Sequence, residues 1–178
     1  MQVKIKNRGF TLIELLVVIS IIALLMGIMM PVVGRVRTVA KRTVCVSNLR
    51  NIGIGFRLYL DENNDYMPPA TNMPSLALNK KKPITFYLDR HIGQKKIFKC
   101  PGDTVDKYFA TEESSYAYNN WLGNRRVSDS FLTKRFNVKE RNIHVMYDYK
   151  PFHGKAGKVG AKNYLYADGH TGNLRNQE

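Results

Sequence analysis

The sequence predicts an α+β protein, in which one long N-terminal helix packs on a small antiparallel sheet. Three observations predict this class: an apolar run that begins at Phe10, a helical spacing of apolar residues after Pro31, and aromatic runs on both sides of Asp168-Gly169. The 178 residues divide accordingly into a basic leader (1–9), a transmembrane half-helix (10–33), an amphipathic half-helix (34–61) and a small globular α+β head (62–178).

The apolar run from Phe10 to Met30 contains 21 residues. A bilayer core about 30 Å thick needs about 20 apolar residues in a helix, so the run is long enough to span a membrane once. Glu14 lies inside it, and a charged group within a bilayer is costly enough to indicate a function. Glu14 also forms a Thr-x-x-Glu capping box with Thr11, which would satisfy free N–H groups at a helix start.

Two other interpretations of this segment stay open. A secretory signal peptide has an apolar core of about 7–15 residues and then a small-residue cleavage site. Here the run is longer, and residues 29–34 contain no Ala-x-Ala pattern. An uncleaved signal anchor is consistent with the length of the apolar run, but it does not require a glutamate at position 14. The basic leader, with Lys4, Lys6 and Arg8, favours a cytoplasmic N-terminus, because positive flanks stay inside.

The segment Arg8-Gly9-Phe10-Thr11-Leu12-Ile13-Glu14 resembles the N-terminus of type IV prepilins and type II secretion pseudopilins. This resemblance implies prepilin peptidase cleavage between Gly9 and Phe10, N-methylation of Phe10, and a role for Glu14 in assembly. It implies a structural subunit of a pilus or pseudopilus in the inner membrane, with a periplasmic or extracellular head. The implied partners are the peptidase, identical or related pilin subunits and an inner-membrane assembly platform.

The second half-helix is predicted from apolar residues that recur every three to five positions: Val36, Ala40, Val44, Leu49, Ile52, Phe56 and Tyr59. This spacing matches the helical period and predicts one core-facing stripe, which Asp61–Asp65 and Pro68-Pro69 then end. Pro31 should kink the helix. The architecture resembles the pilin lollipop. The polar face of this second half-helix carries cations that could be solvated, contact lipid phosphates or meet neighbouring subunits. They are Arg35, Arg37, Lys41, Arg42, Arg50 and Arg57.

The head is expected to consist of short strands and loops rather than helices. Residues 115–118 and 144–149 are aromatic-rich and bounded by Asn, Gly and Pro. Residues 163–167 and 170–174 flank Asp168-Gly169, which predicts a C-terminal hairpin with positive φ at both turn residues.

Further segments resemble the pseudopilin-like paralogue family that is abundant in planctomycetes. They are Cys45–Gly53, Phe98–Asp103, Ser115–Asn119 and Tyr166–His170. Members often have a histidine about ten residues before the Asp-Gly, whereas here His153 lies fifteen residues before Asp168. The resemblance covers nearly the whole chain and adds little about the chemistry of the head.

The two cysteines predict one disulfide, Cys45 to Cys100, because an exported domain folds in an oxidising compartment. Closing this loop would contribute about 4 kcal/mol in the chain-entropy model. Alternatively, Cys45 is simply a small core residue on the helix stripe.

No metal site is predicted. The four histidines have no metal-ligand spacing, although His153 and His170 could approach Asp168 across the hairpin and hold a cation. Calcium prefers about six to eight oxygen ligands, and the sequence contains no Asp-x-Asp-x-Asp loop. The weak calcium candidates are Asp103, Asp106, Asp148 and Asp168.

No catalytic constellation is present. The sequence lacks a Gly-x-Ser-x-Gly elbow, a phosphate loop and a His-Glu-x-x-His motif, so neither an enzyme nor a cofactor is predicted. The alternative function is a membrane-anchored or filament-borne binding module for DNA or anionic surface polymers. Residues 62–178 contain 19 cations and 12 anions, and Trp121 lies near Arg125-Arg126. Core-filling aromatics and solubilising charges explain the same residues, and nucleic acid is not the expected partner.

Overall fold

A computed structural model describes residues 10–76, 81–105 and 107–173. The chain divides into two compact units, Met1–Arg37 and Thr38–Glu178. Gly9, with the rest of the leader, and Asp106 lie outside the described residues, so what was predicted for them stays a prediction.

Helix α1 (Leu12–Glu62) starts in the first unit with a capping box. The N–H and Oγ1 of Thr11 each donate to Oε2 of Glu14 at 2.8 Å. The N–H of Glu14 donates back to Thr11 Oγ1 at 3.3 Å. These reciprocal bonds confirm the predicted box, and they satisfy donors that have no partner within the helix.

The first unit exposes its apolar side chains on every side of α1. The most apolar 18-residue window of the helix has a mean hydropathy of 2.8, and none of it is buried. By length and composition α1 could therefore cross a membrane. Pro31 lies inside α1 and the helix continues through it. The kink expected there stays a prediction.

The second unit begins with the rest of α1, which presents one stripe to the core. Its large buried side chains are Cys45, Leu49, Ile52, Phe56 and Leu60. The predicted stripe is confirmed from Leu49 to Phe56. It is wrong at Val36 and Val44, which are 59% and 48% exposed, and at Ala40, which is also exposed. Beside Val44, the neighbouring Cys45 faces the core instead.

One sheet of four antiparallel strands, in the order β1-β2-β3-β4, packs in the second unit. The strands are β1 (Tyr116–Tyr118), β2 (His144–Asp148), β3 (Tyr164–Tyr166) and β4 (Thr171–Gly172). The strands predicted in these regions and the hairpin at Asp168-Gly169 are confirmed. Of the two turn residues Asp168 and Gly169, only Gly169 has a positive φ, +87°. The expectation for both turn residues is wrong because four residues, rather than two, connect β3 to β4.

The head also contains α-helices, contrary to the expectation of strands and loops alone. They are α2 (Ile84–Ile92), α3 (Tyr108–Glu112) and α4 (Phe131–Phe136). Five 3₁₀ turns accompany them in the described residues, at Pro74–Leu76, Lys95–Phe98, Asn120–Leu122, Val127–Asp129 and Glu140–Asn142. Helices this short depend on tertiary packing more than on propensity, so their sequence signal is weak.

Helix α1 lies directly on the sheet within the second unit. A Cβ atom on Gly53 would lie 2.9 Å from Cδ1 of Leu165 on β3, so the glycine permits this close approach. Phe56 stacks on Tyr118 of β1 with ring centroids 6.0 Å apart. This helix-on-sheet layer confirms the predicted α+β class and brings the buried end of the stripe, at Cys45, next to the end of β2.

Candidate functional site

The first functional feature is the exposed apolar surface of α1 in the first unit. A helix that is apolar on all sides needs an apolar phase around it, which is either lipid or other helices. Phe10, two residues before this helix begins, is exposed. The capping bonds of Glu14 use Oε2, and Oε1 of the same carboxylate accepts no hydrogen bond from the described residues.

The second feature is a buried cluster of four side chains, which we call the four-residue cluster: Cys45, Cys100, Asp148 and His153. One ligand atom from each lies within 4.8 Å of all the others. The four residues come from α1, from the turn after residues 95–98, from the last position of β2 and from the loop that follows β2. Both cysteines and the side chains of Asp148 and His153 are fully buried.

The polar atoms of the four-residue cluster face one another. The thiol of Cys45 donates to Oδ1 of Asp148 at 3.1 Å. The sulfur of Cys100 lies 3.3 Å from Nε2 of His153, and the same nitrogen lies 3.6 Å from Oδ2 of Asp148. Thiol, carboxylate and imidazole groups therefore converge on one point in the core.

Two further groups hold the cluster from outside. The backbone N–H of Asn163 donates to Oδ2 of Asp148 at 2.8 Å, and its side-chain Nδ2 donates to the same oxygen at 3.1 Å and to Cys45 Sγ at 3.3 Å. The N–H of Gly102 donates to the sulfur of Cys100 at 3.3 Å. Each of these bonds favours negative charge on the atom that accepts it.

Burial and these contacts shift the acidities of the cluster. Loss of hydration raises the pKa of Asp148 to about 6, although the hydrogen bond from the Asn163 backbone acts to lower it. The neighbouring sulfur of Cys45, followed by the contact with His153, lowers the pKa of the Cys100 thiol. The neighbouring sulfur of Cys100 and burial raise the pKa of Cys45.

Both cysteines are free thiols in the structure. The fold brings them together, as a bridge would require, and the Cys45–Cys100 disulfide stays a prediction. His153 contacts Cys100 and Asp148. Asp168 instead pairs with His170, at 2.5 Å between Oδ1 and Nδ1, at the exposed hairpin.

The described calcium candidates have separate surroundings. Asp103 accepts hydrogen bonds from the N–H groups of Tyr108 and Phe109 at the start of α3 and from the hydroxyl of Ser115. Within residues 10–76, 81–105 and 107–173, neither Asp103 nor Asp168 joins a group of three or more potential metal ligands.

A third feature is an open groove of about 950 Å³ on the head, which we call the Trp121 groove. Trp121 is 82% exposed at its edge. Phe131 also lines the groove, and Lys81 and Arg125 contribute the cations. Trp121 does not fill the core, so the core-filling explanation of the aromatics fails at this residue.

Comparisons with known proteins identify the N-terminal segment. The family described as Prokaryotic N-terminal methylation motif matches residues 4–30. The chain is 38% identical over 71 residues to the Type IV wide pilus major component PilA4 of Thermus thermophilus. The chain is type IV pilin-like.

The match to that relative covers 40% of this chain and 54% of the relative. The pilin-like chain therefore spans about half the length of the curated relative. No solved structure matches it. The matched motif includes Gly9, Phe10 and Glu14, the residues for which the sequence predicted processing and assembly roles.

Proposed function

We propose that this pilin-like chain is a structural subunit of a type IV pilus or a type II secretion pseudopilus. The observation that supports the proposal best is the exposed apolar part of α1, which lies within and directly after the methylation motif. Such a surface is stable in a bilayer before assembly and among like helices after it, since both surroundings are apolar.

Maturation, in this proposal, cuts the chain between Gly9 and Phe10 and methylates the new N-terminal amine. The prepilin peptidase would be the first partner. The cut removes the cations of the leader, which hold the N-terminus at the cytoplasmic side of the inner membrane. It also leaves a single cation, the amine of Phe10, at the apolar end of α1.

Assembly would then pair the Phe10 amine of one subunit with the Glu14 carboxylate of its neighbour. Two charges that are costly to bury alone would become one hydrogen-bonded pair. The capping box occupies Oε2 of Glu14, so Oε1 can accept the amine while the bonds from Thr11 persist. The same carboxylate could therefore start the helix and join two subunits. Other pilin subunits and an inner-membrane assembly platform would complete the machinery.

The test of this mechanism compares Glu14→Ala with Thr11→Val in the native host. Both variants should insert and be cleaved, as intact mass of the mature chain would report. Glu14→Ala should give no sheared filaments, because the neighbouring amine has no partner. Thr11→Val keeps the carboxylate and should still assemble.

Filaments at wild-type yield from Glu14→Ala would refute the pairing. Loss of filaments in both variants would show that the capping box, rather than the intersubunit pair, matters. Gly9→Arg should block cleavage, and normal maturation of that variant would argue against peptidase processing.

A second candidate function is binding of an anionic polymer in the Trp121 groove, and the exposure of Trp121 favours it. Stacking of a base on an aromatic ring contributes about 1–3 kcal/mol, so Trp121→Ala should weaken binding of a single-stranded oligonucleotide to the full chain in detergent about 5- to 140-fold. Phe136→Ala is the control, because Phe136 is exposed outside the groove. Equal affinity of wild type and Trp121→Ala would exclude the groove as a nucleic-acid site.

A further inference from the structure

We propose that Cys45, Cys100, Asp148 and His153 form a structural zinc site that ties α1 to the end of the sheet. The ligands would be the two sulfurs, one carboxylate oxygen of Asp148 and Nε2 of His153. This inference concerns the stability of the head and does not depend on the function proposed above.

The four ligand atoms lie close to tetrahedral zinc spacing, and separations of up to 4.8 Å would shorten by about 1 Å when the ion binds. Bonds of about 2.3 Å to sulfur and about 2.0–2.1 Å to nitrogen or oxygen place neighbouring ligands about 3.3–3.8 Å apart. The separations in the four-residue cluster are 3.1 Å from Cys45 Sγ to Asp148 Oδ1, 3.3 Å from Cys100 Sγ to His153 Nε2, and 3.6 Å from that nitrogen to Asp148 Oδ2. All four atoms lie within 4.8 Å of one another.

The ligand types select the metal and its role. Two sulfurs with an imidazole favour zinc over calcium or magnesium, which prefer oxygen alone. Four protein ligands complete a tetrahedron and leave no position for water or substrate. Because all four side chains are buried, the site is suited to structure rather than to catalysis.

The surrounding bonds are those that a thiolate metal centre uses. Asn163 Nδ2 donates to both Cys45 Sγ and Asp148 Oδ2, and the N–H of Gly102 donates to Cys100 Sγ. Such outer bonds orient ligands and stabilise their negative charge. Nδ1 of His153 is buried and has no partner among the described residues, so the polar contacts of this ring are made through Nε2, towards the cluster.

A zinc ion explains the whole cluster, whereas a disulfide explains only half of it. A Cys45–Cys100 bridge would satisfy the sulfurs but would leave Asp148 and His153 to each other, at 3.6 Å between Oδ2 and Nε2, which is longer than a hydrogen bond. A metal uses all four groups and offsets the cost of burying a carboxylate and two thiolates. A bridged sulfur is not a thiolate, so the two states exclude each other and are separable by experiment.

The decisive experiment measures metal in the full chain, purified from membranes in detergent, without a polyhistidine tag and without added reductant. Elemental analysis should find about one zinc per chain, and thiol titration after unfolding in chelator should find both cysteines reduced. Replacement by cobalt should give thiolate charge-transfer absorption and the intense visible bands of tetrahedral cobalt.

Matched variants assign the metal to the cluster. His153→Ala should lose the zinc, whereas His170→Ala, at an exposed hairpin histidine, should keep it. Asp148→Asn and Asp168→Asn form a second pair of the same design. Asn163→Ala removes the side-chain bonds to Cys45 and Asp148, together with the bond that Oδ1 accepts from Arg42, and should weaken zinc binding roughly 10- to 100-fold.

If a variant of the four-residue cluster does not fold, a measurement on the wild type still tests the proposal. Chelation should lower the melting temperature, and zinc, but not magnesium, should restore it. A chain that is two hydrogens lighter with no free thiols would establish the disulfide and overturn the proposal. Reduced chain without metal, or zinc retained in both His153→Ala and Asp148→Asn, would overturn it as well.

Discussion

Gly102→Ala tests how closely the turn after Cys100 approaches the segment that carries His153. A Cβ atom at position 102 would lie 2.7 Å from Cβ of Phe152, 3.1 Å from the carbonyl oxygen of Phe152 and 3.3 Å from Cε1 of His153. The two contacts with Phe152 involve atoms fixed to the backbone, so rotation of a side chain does not relieve them. The backbone of Gly102 is outside the left-handed region, and the expected penalty is therefore steric.

The magnitude follows from these distances. Favourable carbon–carbon contacts lie at about 3.5–4.0 Å, so a 2.7 Å contact forces the two segments apart. Overpacking of this kind costs about 1–3 kcal/mol. The smaller conformational freedom of alanine in the unfolded chain offsets about 0.4–1 kcal/mol of that. We expect a net loss of about 1–2 kcal/mol, or a fall in melting temperature of roughly 2–8 °C.

The assay is thermal unfolding of the full chain in detergent, followed by the near-ultraviolet circular dichroism of the buried tyrosines. Gly154→Ala is the control on the same loop, because its Cβ would meet Ala161 at 3.7 Å, an ordinary contact. Its melting temperature should stay at or slightly above that of wild type. The steric reasoning is refuted if Gly102→Ala melts as high as wild type, or if Gly154→Ala falls as far as Gly102→Ala.

Two further predictions concern the sheet. Tyr118→Phe removes the hydroxyl that donates to the carbonyl oxygen of Pro68 at 2.8 Å, and it leaves that buried acceptor unpaired. Urea titration should therefore show a free energy of unfolding lower by about 1–2 kcal/mol. A decrease of less than about 0.5 kcal/mol would contradict this prediction. Burial against the rings of Tyr147 and Tyr164 lowers the pKa of His144, so the unfolded chain binds the proton more tightly. The stability contributed by neutral His144 is fully present above about pH 6.5 and is lost as the pH falls through the lowered folded-state value. As the pH falls below about 6.5, the melting temperature of His144→Phe should therefore decrease less than that of wild type. Parallel decreases in the two proteins would refute a contribution of His144 to the pH dependence of stability.

Local sequence patterns predicted the elements that depend on neighbouring residues. The Thr11–Glu14 capping box needs only one helical turn, and it forms as the Thr-x-x-Glu spacing indicates. The hairpin at Asp168-Gly169 likewise forms between its two predicted strands. Its loop has four residues and one positive φ, because the strands end earlier than the aromatic pattern suggests.

The spacing of apolar residues in α1 did not determine which of two neighbouring residues, Val44 or Cys45, faces the core. Steps of three to five positions allowed either Val44 or Cys45 on the stripe, and contact with the sheet decided for Cys45. The short helices of the head also escaped prediction. In α2 only Ile84, Thr85 and Leu88 are buried. Three positions are too few to distinguish the sequence pattern of a helix from that of a loop.

The sequence by itself determined the motif around Gly9, Phe10 and Glu14, the apolar length of the first half-helix and the capped helix start, because each depends on residues close together in the chain. Only the tertiary structure placed Cys45 and Cys100 beside Asp148 and His153. These residues come from separate elements and have no metal-ligand spacing, so their meeting depends on how α1 packs on the sheet. That packing is the sum of many small apolar contacts, which a linear pattern does not encode.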